Sequence, residues 1–529
     1  MNSGNRDFFQ RLMECRPPGS SRGEARSLSR IAFGFRERLS KCLDEAPLDD
    51  IRLQAEEIDE LALAMTELAE DLHSNGPLWK SLETYHREFY QVPLPLVCKP
   101  GDDPPTTFDE RRFQFFLHTW LWDFRPDVII PADHGCLRKI AGAAGDYFAE
   151  NLARHPGKSS VSVSLSSPND FGWDVKRKLV WMGTRSFLFR ATYRDYLAKA
   201  TGEDTVETTD DFLCRHCTGW SGLGPIDILA AALDLAEEER ATLRGWHERH
   251  TAFYRVEALQ AEHNRLDAMT AVNLINDQSY RIRMDIPLRS CPFRPDQLVF
   301  GSLVPWRGEW YWSGSQRSWP GVPPDFSKVK NEFIQKQSSV VYPYRPDLAN
   351  RAVEQAGELS ANFVKFHGSD LVVFPDGLSV AAAEQKRLRQ YSERKAGSQL
   401  HKFPSGYNPE KGPRMQGFEG EFLDRREGIA VFDHPGEGVE MFMGYARLIA
   451  ALENKGPLSS DEKDALRSFV EEEEISPAFV SRVLAESGNR GLLNCYRLKG
   501  GDQDIAYLLR RFKGIYYRKR YPCISLFQE

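Results

Sequence analysis

Cys214-Arg-His-Cys217 sets two thiols one turn apart with a histidine between them. Zinc needs four ligands near a tetrahedron, and C-x-x-C supplies two. No second pair follows at finger-like spacing, and the nearest other donors are His247, His250 and Cys291. The pattern therefore predicts free thiols at a helix end, with no metal. A redox role would need a strand before the motif. His247-Glu-Arg-His250 holds histidines at i and i+3, one residue short of the H-E-x-x-H zinc spacing. It reads as a polar helix end, where histidine favours the C-terminal dipole. Asp133-His134 and Asp433-His434 each join a carboxylate to an imidazole, a pairing suited to acid–base work or metal binding. Sequence places no nucleophile beside either, so both read as helix-start or loop residues.

Pro375-Asp376 with Glu384-Gln-Lys386 has the spacing of a metal-dependent nuclease or phosphoesterase site of PD-(D/E)-x-K type. There, two carboxylates hold Mg²⁺ and the lysine supports the attacking water. The apolar Leu371–Phe374 before it predicts the required strand. Ala381–Gln390, however, is a strong helix-forming string, whereas the chemistry wants Glu384 and Lys386 on a strand. The spacing therefore predicts a Pro-Asp-Gly turn followed by a helix over Val380–Lys395.

Arg510, Arg511, Lys513, Arg518, Lys519 and Arg520 alternate with Phe512, Tyr516, Tyr517 and Tyr521, with no acid between them. Such interleaving suits phosphates and stacked bases, an alternative nucleic-acid-binding reading. The favoured expectation is a basic strand paired with the chain's own Glu471–Glu474.

Trp306, Trp310, Trp312 and Trp319 fall within Leu298–Trp319. The stretch reads as strands Leu298–Val304 and Glu309–Ser313 joined at Trp306-Arg307-Gly308. Trp310 and Trp312 alternate with Tyr311, so aromatic surface appears on both faces. One face can fill a small barrel; the other needs a ligand, a partner or another domain over it. These four tryptophans are the candidate ligand-binding residues.

Elements that position these groups follow from periodicity and breakers. Residues 1–25 are polar and Pro/Gly-bearing and are expected to be partly disordered. Ile51–His73, Leu78–Tyr90 and Glu110–Phe124 read as helices, the last capped by Thr107 or Asp109. Ser159–Ser166 has period two and reads as a strand. Ile226–Leu235 and Glu237–His250 form a helical hairpin, and antiparallel strands follow at Phe253–Leu259, Met269–Asn276 and Gln278–Met284. The Pro/Gly-rich stretch 320–330 is the main boundary. The expected fold is α+β and multidomain. A helical region spans 1–106, an α+β region 107–252, a small β-barrel-like module 253–319 and a mainly helical α+β region 328–529.

At 529 residues, 41% hydrophobic and 27% charged, the chain has the composition of an ordinary globular protein. A net charge of −7 argues against a globally basic nucleic-acid binder. Nine scattered cysteines suit a reducing compartment. No apolar leader and no run of membrane-spanning length are read, so the expectation is cytoplasmic, without membrane attachment.

Phe113–Arg125, then Trp246–His250 with Phe253-Tyr-Arg-Val, then Gly308-Glu-Trp-Tyr-Trp-Ser-Gly follow an order that resembles uncharacterised bacterial proteins. Some of those carry a SEC-C zinc motif and are labelled similar to the preprotein translocase SecA. The resemblance covers about two fifths of the chain. The compact cysteine-rich zinc segment of those relatives has no counterpart here, so a zinc role does not carry over. The resemblance implies an intracellular bacterial protein with a helical part and a small barrel, and no reaction. Together these readings favour a non-catalytic binding or adaptor protein with a protein or nucleic-acid partner and no cofactor.

Overall fold

The computed structural model describes the chain apart from residues 1–2, 46–51, 75, 95–105, 126–128, 154, 156–158, 201–202, 217–218, 337, 399–419, 500 and 523–529. The fold is α+β and divides into two compact units, Met1–Pro324 and Asp325–Glu529. The division falls within the Pro/Gly-rich stretch. Among the described residues, no helix is long and apolar enough to cross a membrane.

The first unit begins with helices Ser3–Cys15, Arg22–Glu45, Ala55–His73 and Pro77–Tyr90. The expectation of disorder before residue 25 is thus overturned: Phe8 and Leu12 are buried, and the Trp181 indole donates to the Cys15 carbonyl. Asp109 caps Glu110–Phe124 by accepting from the Arg111 N–H. That helix buries Phe113, Phe115, Phe116 and Leu117 completely, and Trp79 meets Trp220 edge to face beside it. Ion-pairing side chains also lie in this interior. Arg16 pairs with Glu70, and Arg190 pairs with Glu67 and, at 2.6 Å, with Glu60.

The serine-rich strand expected at Ser159–Ser166 is instead a helix, Ser160–Leu165. Ser159 caps it through the Ser162 N–H, and Glu24 accepts the Ser160 N–H at 2.9 Å. Serine side chains that satisfy helix-start donors defeat a period-two pattern.

The helical hairpin Pro225–Ala232 and Glu237–Arg244 leads into five strands. They are β1 (His250–Glu262), β2 (Arg265–Asn273), β3 (Ser279–Pro287), β4 (Leu298–Trp306) and β5 (Glu309–Trp319). The order closes on itself as β1-β2-β3-β5-β4. Four ladders are antiparallel; the fifth, between β3 and β5, is parallel and consists of the single pair Ile282↔Trp310. Arg307 and Gly308 both have positive φ, 46° and 79°, as a two-residue hairpin with the strands' right-handed twist requires. Helices Gly172–Arg185 and Val206–Arg215 lie against β5.

In the second unit, Pro346–His367 precedes β6 (Leu371–Phe374), and Gly377–Ser398 is helical as expected. β7 (Ile429–His434) pairs antiparallel with both β6 and β8 (Gly438–Met443). Phe363, Val380, Ile429 and Val431 form the core between sheet and helices. β8 escaped the sequence reading because one of its inward positions is Glu440, a buried carboxylate that accepts the Ser476 N–H at 2.6 Å. Ser459 and Glu462 form the capping box of Ser460–Glu471, and Ser476 caps Pro477–Ser487.

Candidate aromatic pocket

Alternation along β5 sorts its side chains to opposite faces. Trp310 and Trp312 point into the barrel. Trp312 stands edge-on to the buried Tyr254 at 5.5 Å, and Trp310 lies 4.6 Å from Tyr280 and 4.8 Å from His250. Burial pushes the His250 imidazole down to about 4, so it is neutral at pH 7. Tyr311 and Ser313 face outward, onto the helices. Tyr311 meets Trp173 edge to face at 5.3 Å. Ser313 donates to Asp210 at 2.6 Å and accepts from Lys176 at 2.8 Å, and Arg249 also pairs with Asp210. The two cations hold the Asp210 carboxyl below its usual range against the opposing effect of burial.

The four tryptophans therefore do not share a surface. Trp306 is fully buried: its indole donates to the Asn169 carbonyl, and its ring meets Trp246 edge to face. It fastens the barrel to the helical part, which corrects its expected role as a ligand-binding residue. Trp319 is 42% exposed, in an outer cluster with Phe253 and Phe300.

The lone bridge between β3 and β5 has a structural consequence. Beyond Ile282↔Trp310 no further backbone pair joins the two strands. A cavity of about 180 Å³ lies beside them. Gly172, Trp173 and Lys176 line it from the helix, Arg283 and Met284 from β3, Val304 from β4, and Tyr311 and Trp312 from β5. Gly172 is required there: a Cβ would lie 2.6 Å from the Tyr311 ring. Lys176 is committed to Asp210 and Ser313, and Arg283 pairs through its terminal nitrogens with Asp267 at 2.9 Å and Glu309 at 3.6 Å. Arg283 Nε and Trp312 Nε1 are buried with no hydrogen-bond partner. The Tyr311 hydroxyl is pushed up to about 12 by burial and by its hydrogen bond to Glu309. Sequence reading reached Trp312 through its alternation. It missed Gly172, Trp173, Lys176 and Arg283, because no local spacing joins residue 172 to a strand more than 100 residues later.

Asp376, Glu384 and Lys386 do not assemble. Glu384 is buried on the Gly377–Ser398 helix, bound twice by Arg387 and by His367 at 3.1 Å, while Lys386 is exposed. Asp376 starts that helix, accepting from Ser379 N at 2.7 Å; the Ser379 contacts hold its carboxyl below the usual range.

The basic–aromatic segment is the helix Asp502–Phe512 and a 3₁₀ turn, Gly514–Tyr517, not a strand. Arg511 and Lys513 are buried. Lys513 donates to the Glu472 carbonyl, Tyr516 donates to that of Glu473 at 2.8 Å, and burial pushes the Lys513 ammonium down to about 8. Arg520 pairs with Glu437 at 3.0 Å, Lys519 lies over the Tyr521 ring, and Arg510 and Arg518 are half-buried. The six cations thus face both inward and outward, without forming one continuous surface.

Cys214 is buried, and burial raises its thiol; Cys217 lies outside the described residues. His247 contacts the Cys214 carbonyl at 2.9 Å and Asp227 at 3.0 Å, whereas His250 faces the barrel interior. His134 caps Gly135–Leu152, and His434 accepts the Gly436 N–H. No protein-family model, curated protein or solved structure matches this chain.

Proposed function

We propose that the chain is a non-catalytic binding protein whose aromatic β-module receives a small ligand in the cavity lined from β3 and β5. The observation that carries this reading is the 180 Å³ cavity lined by Trp173, Tyr311, Trp312 and Met284. An aromatic wall with a few placed polar groups is the usual make-up of a ligand site. The volume has room for several waters and hence for a small ligand. A cytoplasmic setting belongs to the same reading, supported by the free thiols of Cys15, Cys42, Cys136, Cys214, Cys291 and Cys495.

Saturation-transfer NMR with indole tests the proposal on the full chain. Transfer to the indole ring is expected, and its loss is expected in Trp173→Ala. No transfer at millimolar indole would sink the pocket. The rival nuclease reading predicts cleavage of DNA or RNA with Mg²⁺. We expect none, because Glu384 is neutralised by Arg387 and Lys386 faces away. Cleavage abolished by both Asp376→Ala and Lys386→Ala would reverse that conclusion.

A further inference from the structure

We infer that Glu24 and Glu70 share one proton inside the first unit, and that its loss at rising pH unfastens the helix Ser160–Leu165. Glu24 lies in the first turn of Arg22–Glu45, and Glu70 lies near the end of Ala55–His73. Both carboxyls meet one cation: Arg16 Nη2 binds Glu70, and Arg16 Nη1 lies 3.8 Å from Glu24. The two carboxyls also stand within hydrogen-bonding reach of each other. Ionised carboxylates only accept, so two of them bond to each other only through a proton. Glu70 Oε1 is buried with no donor, as an oxygen that holds or faces that proton would be. Charge has the same implication. With both acids ionised, Arg16, Glu24 and Glu70 together would carry a net negative charge in the interior, where the Arg16 and Glu70 side chains are 2% and 3% exposed. One proton makes the group neutral.

Among the described residues, the neighbouring groups supply no second cation. Glu67 and Asp71 adjoin Glu70 on its own helix. Glu67 is bound by Arg190, which also holds Glu60, and Asp71 accepts the Trp79 N–H at 2.8 Å. Ser160 gives both its N–H and its hydroxyl to Glu24. Ser159 and Ser186 line a cavity of about 10 Å³ beside Glu70, with room for about one water. Burial pushes the Glu70 carboxyl up to about 8; against burial, the hydrogen bonds from Glu70 and Ser160 hold Glu24 below its usual range. The proton therefore belongs to the pair rather than to either acid. Glu24 is the member that can leave, since its side chain is 13% exposed against 3% for Glu70. Once the proton goes, repulsion turns Glu24 outward. Ser160 then loses the acceptor that ties its helix to Arg22–Glu45.

Hydrogen exchange of Ser160–Leu165 in the full chain, corrected for the intrinsic pH dependence of exchange, measures this tie. The closed pair keeps its proton up to about 8 and the freed carboxyls only to 4.5, so closure is favoured at low pH and weakens as pH rises between those values. Protection is expected to fall by more than about tenfold between about pH 6 and about pH 8, one released proton being worth up to about tenfold per unit. In Glu70→Gln the amide donates to Glu24 at every pH, so the fall should shrink below about twofold. In Glu24→Gln no second carboxylate opposes ionisation of Glu70 beside Arg16, and the profile should flatten likewise. A fall that persists in Glu24→Gln assigns the proton to Glu70 alone and overturns the sharing. A fall that persists in Glu70→Gln shows that other groups drive it. A flat profile in the unmodified protein overturns the inference whether or not the variants fold.

Discussion

Trp306 and Trp312 are six residues apart on one hairpin, yet they serve opposite ends. Trp306 exchanges hydrogen bonds and ring contacts with the helical part, in a reciprocal arrangement where the Trp246 indole donates to the Pro305 carbonyl. Trp306→Ala should cost about 3–5 kcal/mol in urea unfolding, as expected for a fully buried large ring. An unchanged midpoint would mean that the barrel does not depend on this contact. His250 offers a pH test. Its folded value near 4 lies below the ordinary 6.5, so the unfolded chain binds more protons between those values. The stability contribution is complete above pH 6.5 and is lost as pH falls toward 4, by up to about 3 kcal/mol. The parent should therefore lose more stability than His250→Gln between about pH 7 and about pH 4.5. Equal losses would place the ring in water.

Among the elements, what is local was readable. Asp109 and the Arg307-Gly308 turn each act within three residues of themselves, and each took the expected role. The elements that were misread depend on distant partners. Ser160–Leu165 is held by Glu24, and the N-terminal helix is covered by side chains such as Trp181. The buried pairs between helices are equally non-local. Arg16→Met removes the partner of Glu70, whose carboxyl is held at about 8 by burial even with Arg16 present, and should cost about 1–3 kcal/mol by chemical denaturation, the penalty of a buried polar group that loses its hydrogen bond. A stabilised variant would show that burying the two groups imposes a net desolvation cost.

For the whole molecule, the division at Pro324 has a direct consequence. Residues 1–324 contain the cavity, its eight lining residues and the helices behind them. A fragment ending at Pro324 should unfold in a single cooperative transition and bind indole as the full chain does. Loss of binding in a folded fragment would assign part of the site to residues after 324.

Amino-acid order alone determined fold class, the positions of several helices, the strands around the Trp-rich hairpin and the Pro/Gly-rich stretch where the chain divides. It also placed Glu384 and Lys386 on a helix, where about 100° per residue turns them apart and removes the nuclease geometry. These are short-range consequences of periodicity, capping and backbone restriction. Only tertiary structure decided which aromatics are interior, because a period of two separates two faces without saying what covers each. Closure of the barrel was likewise invisible in the sequence: β3 and β5 share a single backbone pair, Ile282↔Trp310, and the cavity is lined from both strands. The pocket draws on residues 172 to 312, brought together by the burial of one helix against a sheet edge, and no local pattern encodes that contact.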